Sequence, residues 1–453
     1  VNIALAHFRS GETDGVSLEM DKWKDVLTRM GHNVVLLAGS EGLTHAYLIP
    51  ELHYKHPLNA KFVYNAYDKL LDYESEEDFA EDVMGFAQQI ESKLVDFIES
   101  EHIDLLVPFN IWSLGWSLPA GIGFTNAVKR TKVTCLGFHH NFYWERERYG
   151  KPTCPIVEEW LRTCFPPELP NVRHAVTNRV SGDALHDRRG LEPFVIPNVF
   201  DFNQPLWSKD EYNQGLREDV GIAEDDIVIL QATRVTERKA IELGVDAVAA
   251  LQEELNKRKS QEAFLYNGKR LTEKSRLVYL LAGMPESAYE YTEQLRLRAE
   301  QLKVDLRFIN HVIDYSRTHA AGRNIYSLWD AYVIADFVTY PSILEGWGNQ
   351  LLEAVFAEKP MVIYEYPVYE RDIRQYGFQF VSLGNSYQMN ADGLVYVENG
   401  KIKASAEEMA KLLTDCEQYR QIVSHNFQIG KQHFSYESLV SLLNPILMEV
   451  KPC

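Results

Sequence analysis

Apolar residues arrive in this chain in two rhythms that alternate from end to end. An unbroken run, Asn2-Ile-Ala-Leu-Ala-His7, reads as a buried strand, and Trp23, Val26, Leu27 and Met30 then recur at the spacing of one helical face. Gly31 stands where a helix ends, and Asn33-Val-Val-Leu-Leu-Ala38 supplies the next strand, so the opening segment predicts a β-α-β unit. The same order restarts at Ile227-Val-Ile-Leu-Gln-Ala-Thr233. Ile241, Val245, Val248 and Leu255 mark its helix, and Leu277-Val-Tyr-Leu-Leu-Ala282 its second strand. Alternation of this kind predicts an α/β protein with two doubly wound parallel sheets.

Between the two units, Phe194-Val-Ile-Pro-Asn-Val-Phe-Asp-Phe-Asn-Gln-Pro205 breaks regular structure, which puts the domain junction near residue 205. Domains are expected over 1–205 and 206–431. A last amphipathic helix, about 432–453, carries Leu439, Leu442, Leu443, Ile446 and Leu447 on one face and is expected to pack back on the first domain. Asn399-Gly400, lying between Leu394-Val-Tyr-Val and Ile402, reads as a hairpin turn.

Composition narrows the function. With 453 residues and 45% apolar content the chain can bury two cores. A formal charge of −19 surrounds it with a field of the wrong sign for polyphosphate backbones, so nucleic acid is not an expected partner. The five cysteines include no C-x-x-C pair and read as reduced thiols. The chain opens on a strand rather than on a charged-then-apolar leader, and a cytoplasmic location is expected. The most apolar stretch, Phe109 to Phe124, is interrupted by polar residues, glycine and proline, so no transmembrane helix is expected, while peripheral membrane contact is left open. Oligomeric state is not legible.

The densest chemical signal is Tyr340-Pro-Ser-Ile-Leu-Glu-Gly-Trp-Gly-Asn-Gln-Leu-Leu-Glu-Ala354. Glu345 falls in the loop beyond a strand's carboxyl end, where doubly wound sheets bind ligands, and Glu353 stands in the following helix. Gly346 and Gly348 permit a backbone whose N–H groups, with Asn349 at the helix start, face a hydroxyl-rich or anionic ligand. Taken singly, each glutamate also fits a carboxylate that merely complements a helix dipole.

A second group, Ala232-Thr-Arg-Val-Thr-Glu-Arg-Lys239, follows the first strand of the second domain. Arg234 and Lys239, rather than Arg238, are the expected clamp on a diphosphate, although a solvated charged turn has the same composition. In the first domain, Val133-Thr-Cys-Leu-Gly-Phe138 ends in His139-His-Asn-Phe-Tyr-Trp-Glu-Arg146. A histidine at that strand end can hold a sugar hydroxyl or assist an acceptor proton, and His139 and His140 both qualify. No acidic or cysteine spacing supports a metal site, and neither metal nor cofactor is expected.

These passages resemble the retaining glycosyltransferases of the two-domain GT-B fold, family 4 type, which include sucrose synthases and bacterial mannosyl- and glucosyltransferases. The Glu, seven residues, Glu pattern carries the resemblance, with Trp347 in place of the usual phenylalanine. The resemblance implies two Rossmann-like domains facing across a cleft, the first for the acceptor and the second for a nucleotide-sugar donor. It implies that Glu345, Gly346 and Trp347 hold the donor sugar, that Glu353 binds the ribose, and that Arg234 and Lys239 bind the diphosphate. Ala240 stands where relatives usually carry glycine. A histidine of the His139-His140 pair would contact the sugar. Gly15 of the first turn would approach the diphosphate, beside Asp14 where relatives have a second glycine, and backbone amides near His311 and Val312 would contact the base.

The implied reaction is metal-independent hexosyl transfer with retention to a saccharide-type or small-molecule acceptor. UDP-glucose is the expected donor and GDP-mannose the alternative. Two readings compete: a non-hydrolysing nucleotide-sugar epimerase, which would convert the donor without acceptor, and a nucleotide-sugar sensor, which would bind it without turnover.

Overall fold

The computed structural model describes residues 1–12, 14–286, 289–320 and 322–450. Its packing divides the chain into two compact units, one of residues 1–199 with the last helix and one of residues 200–435. The break therefore falls at Val199, a few residues before the proline that marks it in the sequence.

The first unit alternates strictly. It runs β1 (Asn2–Ala6), α1 (Gly15–Arg29), β2 (Asn33–Ala38), β3 (Tyr47–Leu48), α2 (Pro57–Tyr67), α3 (Glu76–Ser100), β4 (Leu105–Pro108), α4 (Leu118–Thr131), β5 (Thr134–His139), α5 (Pro155–Cys164), β6 (Val172–Val176), α6 (Arg179–Arg189) and β7 (Phe194–Val195). The strands form one parallel sheet in the order β3-β2-β1-β4-β5-β6-β7. Alternate residues of β1 feed different cores, as the period of a strand requires. Ile3 and Leu5 pack with Trp23 of α1 and with Leu439 and Leu443, whereas Ala4 and Ala6 face Phe79 and Phe86 of α3. The last helix, Tyr436–Met448, is thus part of this unit. Each of its buried leucines contributes about 1.5–3 kcal/mol by leaving water.

The second unit contains α7 (Leu216–Asp219), β8 (Ile227–Gln231), α8 (Ile241–Lys259), β9 (Leu277–Leu281), α9 (Tyr289–Gln301), β10 (Asp305–Phe308), β11 (Ile313–Asp314), β12 (Thr318–Ala320), β13 (Arg323–Ser327), α10 (Leu328–Ile334), β14 (Phe337–Tyr340), α11 (Asn349–Phe356), β15 (Met361–Ile363), β16 (Val381–Ser382), β17 (Gln388–Met389), β18 (Val395–Tyr396), α12 (Asn399–Thr414) and α13 (Cys416–His433). Its main sheet is parallel in the order β10-β9-β8-β14-β15-β16. Chain order reverses direction between β8 and β14, which makes their carboxyl ends the switch point where such sheets take ligands. Beneath it, the Tyr279 hydroxyl donates to Gln231 Oε1 at 2.5 Å and meets Thr339 Oγ1 at 2.9 Å, tying three central strands together in the core.

One sequence expectation is corrected. Asn399-Gly400 opens α12 instead of turning a hairpin. A hairpin does form just upstream, between β17 and β18, and it closes at Asn390, whose side chain caps the turn, and at Gly393, whose φ of 80° suits glycine.

No helix among the described residues is long and apolar enough to cross a membrane. The four described cysteines form no disulfide, and Cys453 lies outside the described residues.

Candidate active site

Two loops leave the switch point of the second sheet side by side. The loop after β8 ends in a single 3-10 turn, Glu237–Lys239, and the loop after β14 carries Glu345. Backbone joins them, since Ile343 N donates to Arg238 O at 3.0 Å. On that frame Lys239 Nζ donates to Glu345 Oε1, and Arg238 Nη1 donates to Glu345 Oε2 at 3.1 Å and to Leu344 O at 3.2 Å.

One carboxylate between two cations leaves a surplus positive charge at this point. Burial by itself would raise the Glu345 carboxyl, but Lys239 and then Arg238 overcome it and hold the group below the usual carboxylate range. Burial pulls the Lys239 ammonium down, and the Glu345 charge opposes that. The hydroxyls of Tyr340 and Ser342 also lie next to the carboxylate.

Arg234 sits elsewhere. Its Nη1 donates to both carboxylate oxygens of Glu286, at 2.7 and 3.0 Å, and its side chain is 51% exposed against 4% for Lys239. Val235 pairs with the loop after β9 through Met284 O and Glu286 N, which turns Arg234 toward that loop. Arg238, passed over in the sequence, occupies the place beside Glu345.

The remaining second-unit candidates divide in the same way. Gly348 has a φ of 132°, and a Cβ there would stand 2.7 Å from the Tyr366 hydroxyl, so the position demands glycine. The Trp347 ring is buried against Phe434, while its carbonyl accepts from Tyr366 at 2.6 Å. Gly346 lies in the loop directly after Glu345, and Asn349 is the first residue of α11. Glu353 accepts a hydrogen bond of 3.0 Å from the buried Tyr332 hydroxyl, which orients the carboxylate from behind. The Val312 amide donates to Ile309 O and its carbonyl accepts from Tyr326 N, so both backbone groups are engaged within the fold.

In the first unit the two adjacent histidines part company. His139 is enclosed in a hydrogen-bond chain whose direction is fixed at its far end, because the Pro167 carbonyl can only accept. His174 Nε2 therefore donates to it at 2.9 Å, His174 Nδ1 accepts from His139 Nε2 at 3.1 Å, and His139 Nδ1 accepts from Ser113 Oγ at 2.8 Å. His140 points the other way. Among the described residues neither of its buried ring nitrogens has a hydrogen-bond partner, and its backbone N–H donates to Asn110 Oδ1. It shares this neighbourhood with His7 and Asp14, and burial, followed by the nearby His7, brings its pKa down to about 3.

His7 Nε2 lies 3.7 Å from Asp14 Oδ1, and its Nδ1 bonds Phe109 O. Asp14 caps α1, accepting from the amides of Val16 and Ser17, so Gly15 is the first residue of a helix whose terminus already faces a carboxylate. Burial opposes ionisation of Asp14, yet His7, Ser17 and Arg9 hold it well below the carboxylate range. His7 was invisible as a site residue in the sequence, where it reads only as the end of a strand.

Protonating His139, His140 or His174 sets charge against burial, and in the His139–His174 chain it also sets donor against donor. Burial, then the neighbouring His174, keeps His139 well below the usual range, and burial takes His174 to about 4. A histidine depressed in the folded state contributes stability that is complete above its unfolded pKa, about 6.5, and is lost as pH falls toward the folded value. Urea unfolding at pH 7 and pH 5 is therefore expected to differ by about 2 kcal/mol for each of His140 and His174, with His139 acting in the same direction. Equal stability at the two pH values would refute the buried, neutral assignment.

Residues 213–428 match the family described as glycosyl transferases group 1. The chain is 40% identical over 446 residues, 98% of its own length and 99% of the relative's, to the mannosylglucosylglycerate synthase of Thermotoga maritima. It is 37% identical to the synthase of the same name from Petrotoga mobilis, over 96% of this chain and 98% of that one. The chain belongs to the group 1 glycosyltransferases. It is a GT-B enzyme of the family 4 type, built of two Rossmann-like domains, and it transfers a sugar. The fold is shared with a glycosyltransferase from Rickettsia africae at a TM-score of 0.61 and 14% identity, covering 99% of this chain and 98% of the other. Within a glycosyltransferase, the surplus charge at Lys239 and Arg238 lies at the kind of switch point that receives a nucleotide sugar.

Proposed function

We propose that this glycosyltransferase moves mannose from GDP-mannose to glucosylglycerate with retention of anomeric configuration. The name borne by both full-length relatives favours this over the UDP-glucose expectation, because a mannosylglucosylglycerate arises when a mannosyl group is added to a glucosylglycerate.

In the reaction the bond from the anomeric carbon to the diphosphate breaks, and a bond from the same face forms to an acceptor hydroxyl. The departing GDP keeps the bonding electron pair and takes the acceptor's proton. Negative charge therefore grows on the diphosphate. Lys239 and Arg238, already in place, stabilise it without waiting for solvent to reorganise, and no metal is needed in this scheme. Glu345 holds both cations and presents its loop to the sugar, while Glu353, oriented by Tyr332, takes the ribose hydroxyls. His140 offers its unpaired nitrogens to a sugar hydroxyl. Arg234 joins when the diphosphate arrives, since an exposed pair with Glu286 is worth only about 0–1 kcal/mol and yields readily. The first unit is the acceptor domain and the second the donor domain.

The surplus positive charge around Glu345 is the observation that carries the mechanism. The test supplies GDP-mannose or UDP-glucose, each with and without glucosylglycerate and with a chelator, and resolves products by mass spectrometry and NMR of the new anomeric proton. An α-mannoside formed only from GDP-mannose plus acceptor is the expected result. Preferential use of UDP-glucose, or interconversion of the donor with no acceptor present, would overturn the proposal.

A further inference from the structure

Arg9 lies two residues beyond His7, past the carboxyl end of β1, and Tyr54 and Lys55 follow β3 across the short turn Pro50–Leu52. The two segments are locked together. The Gly39 amide donates to Phe8 O, and Gly39 itself lies so close to the later loop that a Cβ would stand 2.2 Å from His53 N.

In this frame two cations converge on one aromatic ring. The Arg9 guanidinium carbon stands 4.7 Å from the centroid of Tyr54, and the Lys55 ammonium 5.2 Å from it, while His53 stacks on the same ring at 5.2 Å and 9°. A ring face attracts each cation, but the cations repel one another, and an anion between them is the arrangement that satisfies both. Lys55 has no carboxylate partner among the described residues. Arg9 offers Nε to Asp14 at 3.0 Å and Nη1 to Glu12 at 3.5 Å, which leaves its other terminal nitrogen unpaired.

We infer that Arg9 and Lys55, seated on Tyr54, form the subsite for the carboxylate of the acceptor. The inference rests on the proposed acceptor, whose glycerate end carries that group. The Arg9 terminal nitrogen left over from Asp14 and Glu12 and the Lys55 ammonium at the same ring can each donate to one oxygen of a carboxylate. The location is also connected to the reaction, because Asp14 pairs with both Arg9 and His7, and His7 acts on His140. An acid seated at Arg9 is thus placed in the same unit and the same charge network as the histidine assigned to the sugar.

The test compares glucosylglycerate with glucosylglycerol, identical except that a hydroxymethyl group replaces the carboxylate. The unmodified enzyme should prefer the acid, and added salt should weaken the acid more than the neutral compound. Lys55→Gln and Arg9→Gln should each raise KM for the acid about tenfold, as expected for one charged hydrogen bond, with the loss in KM rather than kcat and with KM for GDP-mannose unmoved. Lys55→Arg should restore most of the loss. Lys55→Gln is the cleaner variant, since Arg9 also touches Asp14. If both acceptors suffer equally, or neither does, the subsite is refuted while mannosyl transfer stands. If the unmodified enzyme transfers mannose to neither, the proposed function fails and takes the subsite with it.

Discussion

Lys239→Met is expected to lower kcat by about 10²–10³, the loss seen when one preorganised charge donor is removed from a developing anion. The ammonium is almost wholly buried and is aimed by its bond to Glu345, so no water-borne cation replaces it. The same substitution weakens the hold on its partner. Without Lys239, the strongest influence lowering the Glu345 carboxyl is gone, and Arg238 alone among the cations opposes burial. In the parent, a depressed carboxyl contributes stability above the ordinary carboxylate pKa and loses it as pH falls. In the variant that loss on acidification should be smaller. Arg238→Gln should lose activity in the same direction but less steeply, its side chain being 33% exposed. Steady-state rates and unfolding curves at several pH values check both parts. A Lys239→Met enzyme with kcat near the parent's would remove Lys239 from the reaction.

The two adjacent histidines should respond in opposite ways. His139→Ala breaks a completed chain in the core, leaving Ser113 and His174 each short of a buried partner, so it is expected to cost about 2–4 kcal/mol of stability. Its effect on activity should follow from that loss of folded enzyme. His140→Ala removes two ring nitrogens that already lack partners, which relieves a cost rather than creating one. Its melting temperature should hold while kcat drops by about 10²-fold, the scale of a lost side-chain contact to the reacting sugar. A His140→Ala enzyme that melts early and turns over normally once folded would reverse the assignment.

Much of this was legible from residue order, and what was not has a common cause. The β-α-β periodicity follows from burial on both faces of parallel strands, and each named run became a strand. Glu345 and Lys239 were readable because a glycine-rich loop and a basic turn each follow a strand that ends at the switch point. Which arginine joins them was not readable. The single 3-10 turn at Glu237–Lys239 aims Arg238 inward, and Glu286, from a loop some fifty residues on, draws Arg234 out.

The histidine ambiguity has the same origin. Adjacent positions at a strand end face opposite ways, but only Ser113 and the Pro167 carbonyl, remote in sequence, identify the side that is filled. Asn399-Gly400 misled because a dipeptide favoured in tight turns also tolerates the start of a helix, and the turn chemistry belonged to Asn390 and Gly393 instead.

Ala240 closes the turn that carries Lys239 with φ and ψ of 46° and 49°, a left-handed conformation that costs a residue with a Cβ about 1–2 kcal/mol. For glycine the same shape is nearly free. A methyl group makes that basin narrow as well as high, so the lysine hangs from a stiff hinge whose wandering is curtailed before any donor arrives. Ala240→Gly should therefore yield a sturdier protein with a slacker catalytic arm, trading melting temperature upward against turnover.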